Sequence, residues 1–214
     1  MLSEDLQFFE GAFAVLNKVY FDEELPSVII TIQSTPKVYG HFTVNPVWTE
    51  NIEKRSLREI NLGADYLDRP IENVMATLLH EMVHLYCRVK GIQDTSNGNR
   101  YHNKYFKMEC EKRDLTIGQG KYIGWSVTSP TERFVQVLKE NGLYVDLKNF
   151  RTGDGIPTGI GGTGGATGGV PPLSPKKKTS TRKYYCSICG ISVRATKNVN
   201  IACLDCSNVM IKKE

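Results

Sequence analysis

Hydrophobic residues in the first half of the chain follow two spacings, and each spacing predicts a different kind of element. Near the start, apolar residues recur every three or four positions, which predicts an amphipathic helix that ends before Pro26. Stretches 28–32, 38–44 and 59–62 are rich in β-branched and aromatic residues and predict three strands, the first two joined by a turn at Pro36. The apolar positions of the predicted helix are Leu6, Phe9, Phe13, Leu16 and Tyr20.

The most regular helical spacing in the chain runs from Asp68 to Gly91. Asp68 lies near the expected N-cap, Pro70 falls in the first turn, and Gly91 marks the C-terminal stop. We expect this largely apolar helix to be buried, packed with the strands and the opening helix in an α+β domain of about 145 residues. Its apolar positions are Ile71, Val74, Met75, Leu78, Leu79, Met82, Leu85, Tyr86 and Val89.

The predicted buried helix contains the sequence H-E-M-V-H at positions 80–84. Residues i and i+4 share one face of a helix, so His80 and His84 can bind a single Zn²⁺ through neutral imidazole nitrogens. Glu81 lies beside the first histidine and is placed to take a proton from water that the metal activates. A buried helix tolerates one hydrogen-bonded histidine. Two at this spacing around a carboxylate favour a metal site, because unpaired buried polar groups are costly.

A hydrolytic zinc site takes a third protein ligand, and His102 is the first candidate. The polar stretch 93–99 predicts a loop, and a second helix is predicted from about Tyr101 to Arg113, with His102 in its first turn. An αα-hairpin would then fold His102 over the first two histidines, with Phe106 on the same side.

Three other residues compete for the third position. Glu109 and Glu111 belong to a charged run that is typical of a solvated helix face, although some zinc proteases use a glutamate from a downstream helix. His41 lies in a predicted strand, where half-exposed packing is the simpler interpretation. We therefore predict that His102 joins the two motif histidines as the third ligand of one catalytic zinc ion.

These motifs together resemble those of the SprT-like metallopeptidases, a family that includes bacterial SprT proteins and the eukaryotic protease Spartan. Members typically have H-E-M-x-H followed by a third histidine in an H-G-x-x-F sequence; positions 102–106 here read H-N-K-Y-F, so Asn103 stands where glycine is usual. The resemblance covers about residues 1–145. It implies a zincin-like fold with Glu81 as the general base of a zinc-dependent endopeptidase. The implied substrate is protein, including protein bound or crosslinked to DNA.

The composition changes abruptly after Phe150. Nine of the seventeen residues from 153 to 169 are glycine, and such a segment cannot bury enough apolar surface to offset its backbone entropy, which predicts a flexible tether. Residues 176–183 then supply five positive charges. The predicted parts are a metallopeptidase domain (1–147), a glycine-rich and then basic linker (148–183) and a C-terminal zinc ribbon (184–214).

Two C-x-x-C pairs separated by thirteen residues predict a structural zinc site near the C-terminus. Gly190 follows the first pair, where a tight knuckle favours a residue that tolerates positive φ, and stretches 191–195 and 199–202 are predicted to pair as a hairpin. A module this short has too little core to fold without its metal. Cys87 and Cys110 are predicted to be buried thiols. The predicted zinc ligands are Cys186, Cys189, Cys203 and Cys206.

The first residues have neither a basic n-region nor an apolar h-region, which predicts a cytoplasmic, nucleoid-associated or nuclear protein with reduced thiols rather than a secreted one. Disulfides are therefore the less favoured interpretation of the cysteine pairs. No apolar run has membrane-spanning length, so no membrane partner is expected. The sequence does not indicate an oligomeric state, and we assume a monomer.

Charge is unevenly distributed within the net charge of +4. Residues 148–214 hold eleven Lys and Arg against three Asp and Glu, whereas residues 1–147 hold sixteen against twenty. A basic tail beside a zinc ribbon predicts a polyanionic partner, namely nucleic acid, although a solvated linker explains the lysine run alone equally well. Tyr184 and Tyr185 either stack on unpaired bases or pack on the zinc knuckle.

Two alternative functions remain open from the residues alone. The first is a non-catalytic nucleic-acid-binding protein in which both zinc ions are structural. The second is a zinc hydrolase that acts on an amide other than a peptide bond.

Overall fold

A computed structural model describes residues 2–35, 37–152 and 181–213. The chain divides into two compact units, residues 1–171 and 172–214. The predicted turn at Pro36, the glycine-rich stretch and the lysines at 176–178 lie outside the described residues. The three-part division predicted from composition stays a prediction.

The described part of the first unit has mixed α+β architecture with four α-helices and two small sheets, which confirms the α+β part of the predicted fold class. A single 3₁₀ turn, Ala64–Tyr66, follows the fourth strand. In chain order the elements are α1 (Leu2–Phe21), β1 (Val28–Gln33), β2 (Gly40–Phe42), β3 (Trp48–Thr49), β4 (Ser56–Gly63), α2 (Ile71–Lys90), β5 (Thr95–Ser96), β6 (Tyr101–His102), α3 (Lys104–Glu111), β7 (Leu115–Gly120), β8 (Gly124–Pro130) and α4 (Glu132–Glu140).

Strand β4 is the centre of the first sheet. It pairs with β1 in parallel and with β2 and β3 in antiparallel register, and all three strands predicted from the sequence are present with shifted ends. On one side of β4, Ile60 and Leu62 are buried in the core that surrounds α2. On the other side Asn61 is also buried, and its side chain accepts a hydrogen bond from the backbone of Gln33. Strand β4 is therefore buried on both faces where it pairs with β2.

Helix α2 begins three residues later than the predicted start at Asp68. Pro70 occupies the N-cap position rather than the first turn, and no side chain caps this end. Gly91 ends the helix as predicted, with a φ of +68° that glycine adopts without strain. Fourteen of the twenty residues of α2 are buried, so the helix is the centre of the domain core.

The predicted second helix from Tyr101 to Arg113 is too long, and His102 is not in its first turn. Helix α3 starts at Lys104, because the Asn103 side chain caps it by accepting hydrogen bonds from the two amides of Tyr105 and Phe106. His102 instead lies in β6, in a sheet with the order β5-β6-β8-β7. A strand, not an αα-hairpin, therefore carries this histidine to α2.

The described part of the second unit consists of short strands around four cysteines, which is consistent with a zinc ribbon. The predicted hairpin between residues 191–195 and 199–202 is wrong. Strand β10 pairs with β9, which also pairs with β13, and β11 pairs with β12. The strands are β9 (Arg182–Tyr185), β10 (Ser192–Ala195), β11 (Ala202–Cys203), β12 (Asn208–Val209) and β13 (Ile211–Lys213).

Candidate metal centre

The fold brings His80, His84 and His102 together. Helix α2 carries the first two one turn apart, and β6 carries the third. The Nε2 atom of His84 is 3.3 Å from that of His80 and 3.1 Å from that of His102. Two nitrogens at about 2.05 Å from a tetrahedral zinc ion lie about 3.3 Å apart, so this spacing fits zinc.

A different partner orients each ring through its other nitrogen. His80 Nδ1 is 2.6 Å from Thr128 Oγ1, and His84 Nδ1 is 2.5 Å from Asp94 Oδ2. His102 Nδ1 is 3.1 Å from the carbonyl oxygen of Ile123. Such outer hydrogen bonds hold metal-binding imidazoles in position and select their tautomer.

These partners determine where two of the rings carry their proton. The Ile123 carbonyl can only accept a hydrogen bond, so His102 Nδ1 donates and its Nε2 keeps a lone pair. The Asp94 carboxylate also accepts, so His84 Nδ1 donates and its Nε2 keeps a lone pair too. Two lone pairs therefore face each other across 3.1 Å. They repel unless a cation lies between them, so the donor set fits a metal ion.

Burial of the three rings favours their neutral form. Burial lowers the pKa of each histidine, and the neighbouring imidazoles lower those of His80 and His84 further. For His102 the Ile123 carbonyl and the Asp94 charge oppose part of the shift. Neutral rings are the form that binds a metal.

Glu81 lies beside this cluster with its carboxylate fully buried. Neither carboxylate oxygen has a hydrogen-bond partner among the described residues. Burial, reinforced by the nearby Asp94 charge, raises its pKa well above the usual range, and the backbone of Phe42, which approaches the carboxylate without reaching hydrogen-bond geometry, opposes this only in part. A buried carboxyl group without a partner is costly, and such groups concentrate where proteins hold ligands or transfer protons.

Residues 9–119 match the family model described as the SprT-like family, a span of more than half the chain. The chain belongs to the SprT-like family. The comparisons gave no match to a curated protein or to a solved structure. The matched span contains the three histidines, Glu81 and Asp94, whereas Thr128 and Ile123 lie beyond it.

The competing ligand candidates lie elsewhere in this SprT-like chain. Glu109 accepts hydrogen bonds from Lys112 at 2.6 Å and from Arg113 at 2.8 Å. Glu111 is exposed and pairs with Lys107 at 3.5 Å, and His41 Nδ1 is 3.5 Å from the Asn61 amide. The three-histidine cluster contains none of these three residues.

Sequence reasoning missed the residues that orient the histidines. Asp94 is the only carboxylate in the polar stretch 93–99, ten residues after His84, and a search for a carboxylate partner of a zinc-binding histidine would have found it. Thr128 and Ile123 give no such signal, because the first contact depends on the packing of β8 against α2 and the second on the pairing of β6 with β8.

Phe106 and Gly124 close the SprT-like site from two sides. The Phe106 ring stacks on His84 with a centroid distance of 4.2 Å, which confirms the prediction that Phe106 packs on the same side as the histidines. Gly124 has a φ of +71°, and a β-carbon there would lie 2.1 Å from the His102 carbonyl oxygen. Only glycine allows β8 to approach the strand of the third histidine this closely.

The second candidate metal group is in the C-terminal unit. The four predicted sulfur atoms all lie within 4.8 Å of one another, and Cys189 Sγ is 3.7 Å from Cys203 Sγ. Two sulfurs of a tetrahedral zinc site with Zn–S bonds of about 2.3 Å lie about 3.8 Å apart, so this group also fits zinc. Backbone amides of Cys189 and Ile188 lower the pKa of Cys186 to about 6, which favours the thiolate.

Each cysteine pair is followed by a residue with positive φ. Gly190 has a φ of +74°, as the knuckle interpretation requires, and Ser207 has a φ of +48° at the equivalent position after the second pair. Cys87 and Cys110 are buried in the core of the first unit, as predicted. No helix in the described ranges is long and apolar enough to span a membrane.

Proposed function

We propose that this SprT-like protein is a zinc-dependent endopeptidase with a zincin-like catalytic domain. One observation carries the proposal: three neutral histidine nitrogens converge beside a buried carboxylate that has no partner among the described residues. His80, His84 and His102 would hold the zinc ion. The bound ion would polarise the scissile carbonyl and lower the pKa of water.

In this proposal Glu81 moves the proton. Its raised pKa gives the carboxylate more affinity for a proton than an exposed glutamate has, so it would accept one from water and deliver it to the leaving amine. Burial also removes competing water from this transfer. Asp94, Thr128 and the Ile123 carbonyl would hold the three imidazoles in place throughout.

Strand β2 is a suitable edge for a peptide substrate. It pairs with β4 on one side and has no strand on its other side within the described ranges. A β-carbon at Gly40 would lie 2.9 Å from Thr77 Cγ2 and 3.5 Å from Glu81 Cγ, so the absence of a side chain allows β2 to lie directly against α2. An extended peptide that pairs with β2 would pass beside Glu81.

We also propose nucleic acid as a partner, bound by the C-terminal unit. Lys183 on β9 is directly opposite Arg194 on β10 and Lys213 on β13, so the three cations form a row on one face of the sheet. Tyr185, in the next row of that face, is 36% exposed. Like charges in direct cross-strand positions destabilise a sheet, whereas a phosphate backbone would be attracted to them and a base would stack on Tyr185. Tyr184 is instead buried, and its hydroxyl accepts a hydrogen bond from Val199.

Glu81→Gln tests the catalytic proposal. Cleavage of a DNA-binding protein should fall by about 10²–10⁴-fold, because the general base is lost. Zinc content and thermal stability should not fall, because the amide is nearly isosteric and carries no buried charge. The matched control is Glu111→Gln, which makes the same change at an exposed position and should keep full activity.

The outcomes separate the candidate functions. If the Glu81→Gln variant hydrolysed the substrate as fast as wild type, Glu81 would not be the general base. A zinc-loaded wild-type protein that cleaves no protein, with or without DNA, would favour the non-catalytic or the other-amide function instead.

The double change Lys183→Glu and Arg194→Glu tests the nucleic-acid partner. We expect weaker binding of a labelled oligonucleotide and a less steep dependence of affinity on salt, because fewer phosphates are neutralised. Lys197→Glu changes an exposed lysine of the same unit outside this face and serves as the control. The same loss of binding free energy per reversed charge in both variants would reduce the effect to net charge and contradict the assigned face.

A further inference from the structure

A cavity of about 280 Å³ opens beside the His84 side of the candidate metal centre. His84 and Asp94 both line it, so it is continuous with the site. The last turn of α2 and the following loop form one wall. The cavity is also lined by Phe42, the last residue of β2, and by Val44, which follows shortly after it.

The position of these walls assigns the cavity to a substrate side chain. A peptide that pairs with β2 would direct alternate side chains to the same side as those of its partner strand. The cavity lies at the end of that strand and next to His84, so a side chain close to the scissile bond would enter it. This step rests on the proposed peptidase function.

Arg88 sets the charge of the cavity. It lies on α2 one turn after His84, lines the cavity, and has an exposed side chain. No ion pair or hydrogen bond joins this side chain to another residue in the described ranges. The other charged residue of the wall, Asp94, is engaged through Oδ2 with His84 and through Oδ1 with Thr95. The guanidinium is therefore the charged group that is available to an incoming side chain.

We propose that this cavity is a specificity pocket in which Arg88 selects an acidic side chain of the substrate. A guanidinium binds a carboxylate through two parallel hydrogen bonds, whereas it repels the like charge of a lysine in the substrate. Phe42 and Val44 supply apolar contacts for the methylene groups of such a side chain. The selected substrates are peptides with Glu or Asp next to the cleaved bond.

The experiment uses the zinc-loaded full-length chain and matched peptides. A single Glu, Gln or Lys is moved through the positions that flank the cleaved bond, and kcat/KM is measured for each peptide. Wild type should favour Glu over Lys by about fivefold at one position, the scale of a partly solvated ion pair. Arg88→Gln should abolish the preference, and Arg88→Glu should reverse it. Arg100→Glu makes the same charge change outside the cavity and should leave the preference intact.

A second readout does not depend on turnover. The same peptides are titrated against zinc-loaded Glu81→Gln protein, with and without Arg88→Glu, and their dissociation constants are compared. Charge-selective binding without any cleavage by wild type would overturn the peptidase proposal but support the pocket. Cleavage or binding with equal preference for Glu and Lys, or an equal change from Arg100→Glu, would overturn the pocket.

Discussion

At the scale of single residues, the site depends on hydrogen bonds that the motif does not contain. Each histidine of the cluster has a separate partner at Nδ1: a hydroxyl, a carboxylate and a backbone carbonyl. Asp94 is the charged member of this set, and burial raises its pKa to about 6. The protein therefore keeps a carboxylate in an unfavourable environment beside His84, which is consistent with a role in orienting that ring.

Asp94→Asn should weaken zinc binding at the histidine cluster by about 10- to 100-fold, because a neutral amide is a poorer acceptor for His84 Nδ1–H. Competition with a chromophoric chelator measures this affinity. The metal-free variant should unfold at the same temperature as metal-free wild type or above it, because the change removes a buried charge. Asp68→Asn, at an exposed position, is the control. An unaltered zinc affinity in Asp94→Asn would contradict the orienting role.

At the scale of elements, the N-cap residue Asn103 determines where α3 begins and leaves His102 outside that helix. The Asn103 side chain caps α3 and also donates to the Gln93 carbonyl at 2.6 Å. Asparagine and glycine are both accepted N-cap residues. The asparagine at the position where SprT-like sequences usually have glycine is therefore compatible with the same helix start, and it adds a contact to the preceding loop.

Asn103→Ala should lower the free energy of unfolding by about 1 kcal/mol through loss of the cap, whereas Asn103→Gly should cost only a few tenths. Asn103→Asp keeps the acceptor but removes the donor to Gln93, so it isolates the loop contact. Urea unfolding of the zinc-loaded chain measures these differences. Equal destabilisation by Ala and Gly would show that the loop contact, rather than the cap, holds this junction.

At the scale of the whole molecule, the two units differ in what stabilises them. The first has a large core around α2 that includes fully buried Phe9, Leu16 and Phe134. Among the described residues of the second, the buried core cluster has only four members, two of which are cysteines of the metal group. A core this small does not offset chain entropy, so folding of this unit should require its metal.

Metal analysis should therefore find two zinc ions per chain. His102→Ala should lose one without unfolding the first unit, and Cys203→Ser should lose the other. Hydrogen exchange should then become fast across residues 182–213 of Cys203→Ser while α2 stays protected. Retention of both metals in either variant, or loss of protection in α2 of Cys203→Ser, would contradict this division.

The sequence by itself determined the features that depend on local spacing. A helix has a fixed period, so H-E-M-V-H alone places His80 and His84 on one face, and C-x-x-C alone brings two sulfurs together. The opening helix, the three strands and the stop at Gly91 follow from periodicity and backbone preference in the same way. The α+β class follows from these elements together.

Only the tertiary structure decided how the site is completed. His102 reaches α2 from a strand because Asn103 starts α3 late and because β6 pairs with β8, a contact between residues far apart in the sequence. Thr128 meets His80 across forty-eight positions because β8 packs against α2. Such contacts depend on packing and strand register, which no local pattern encodes. The motif therefore determined two histidines and the carboxylate, and the fold decided the third histidine, the orientation of all three rings and the cavity beside them.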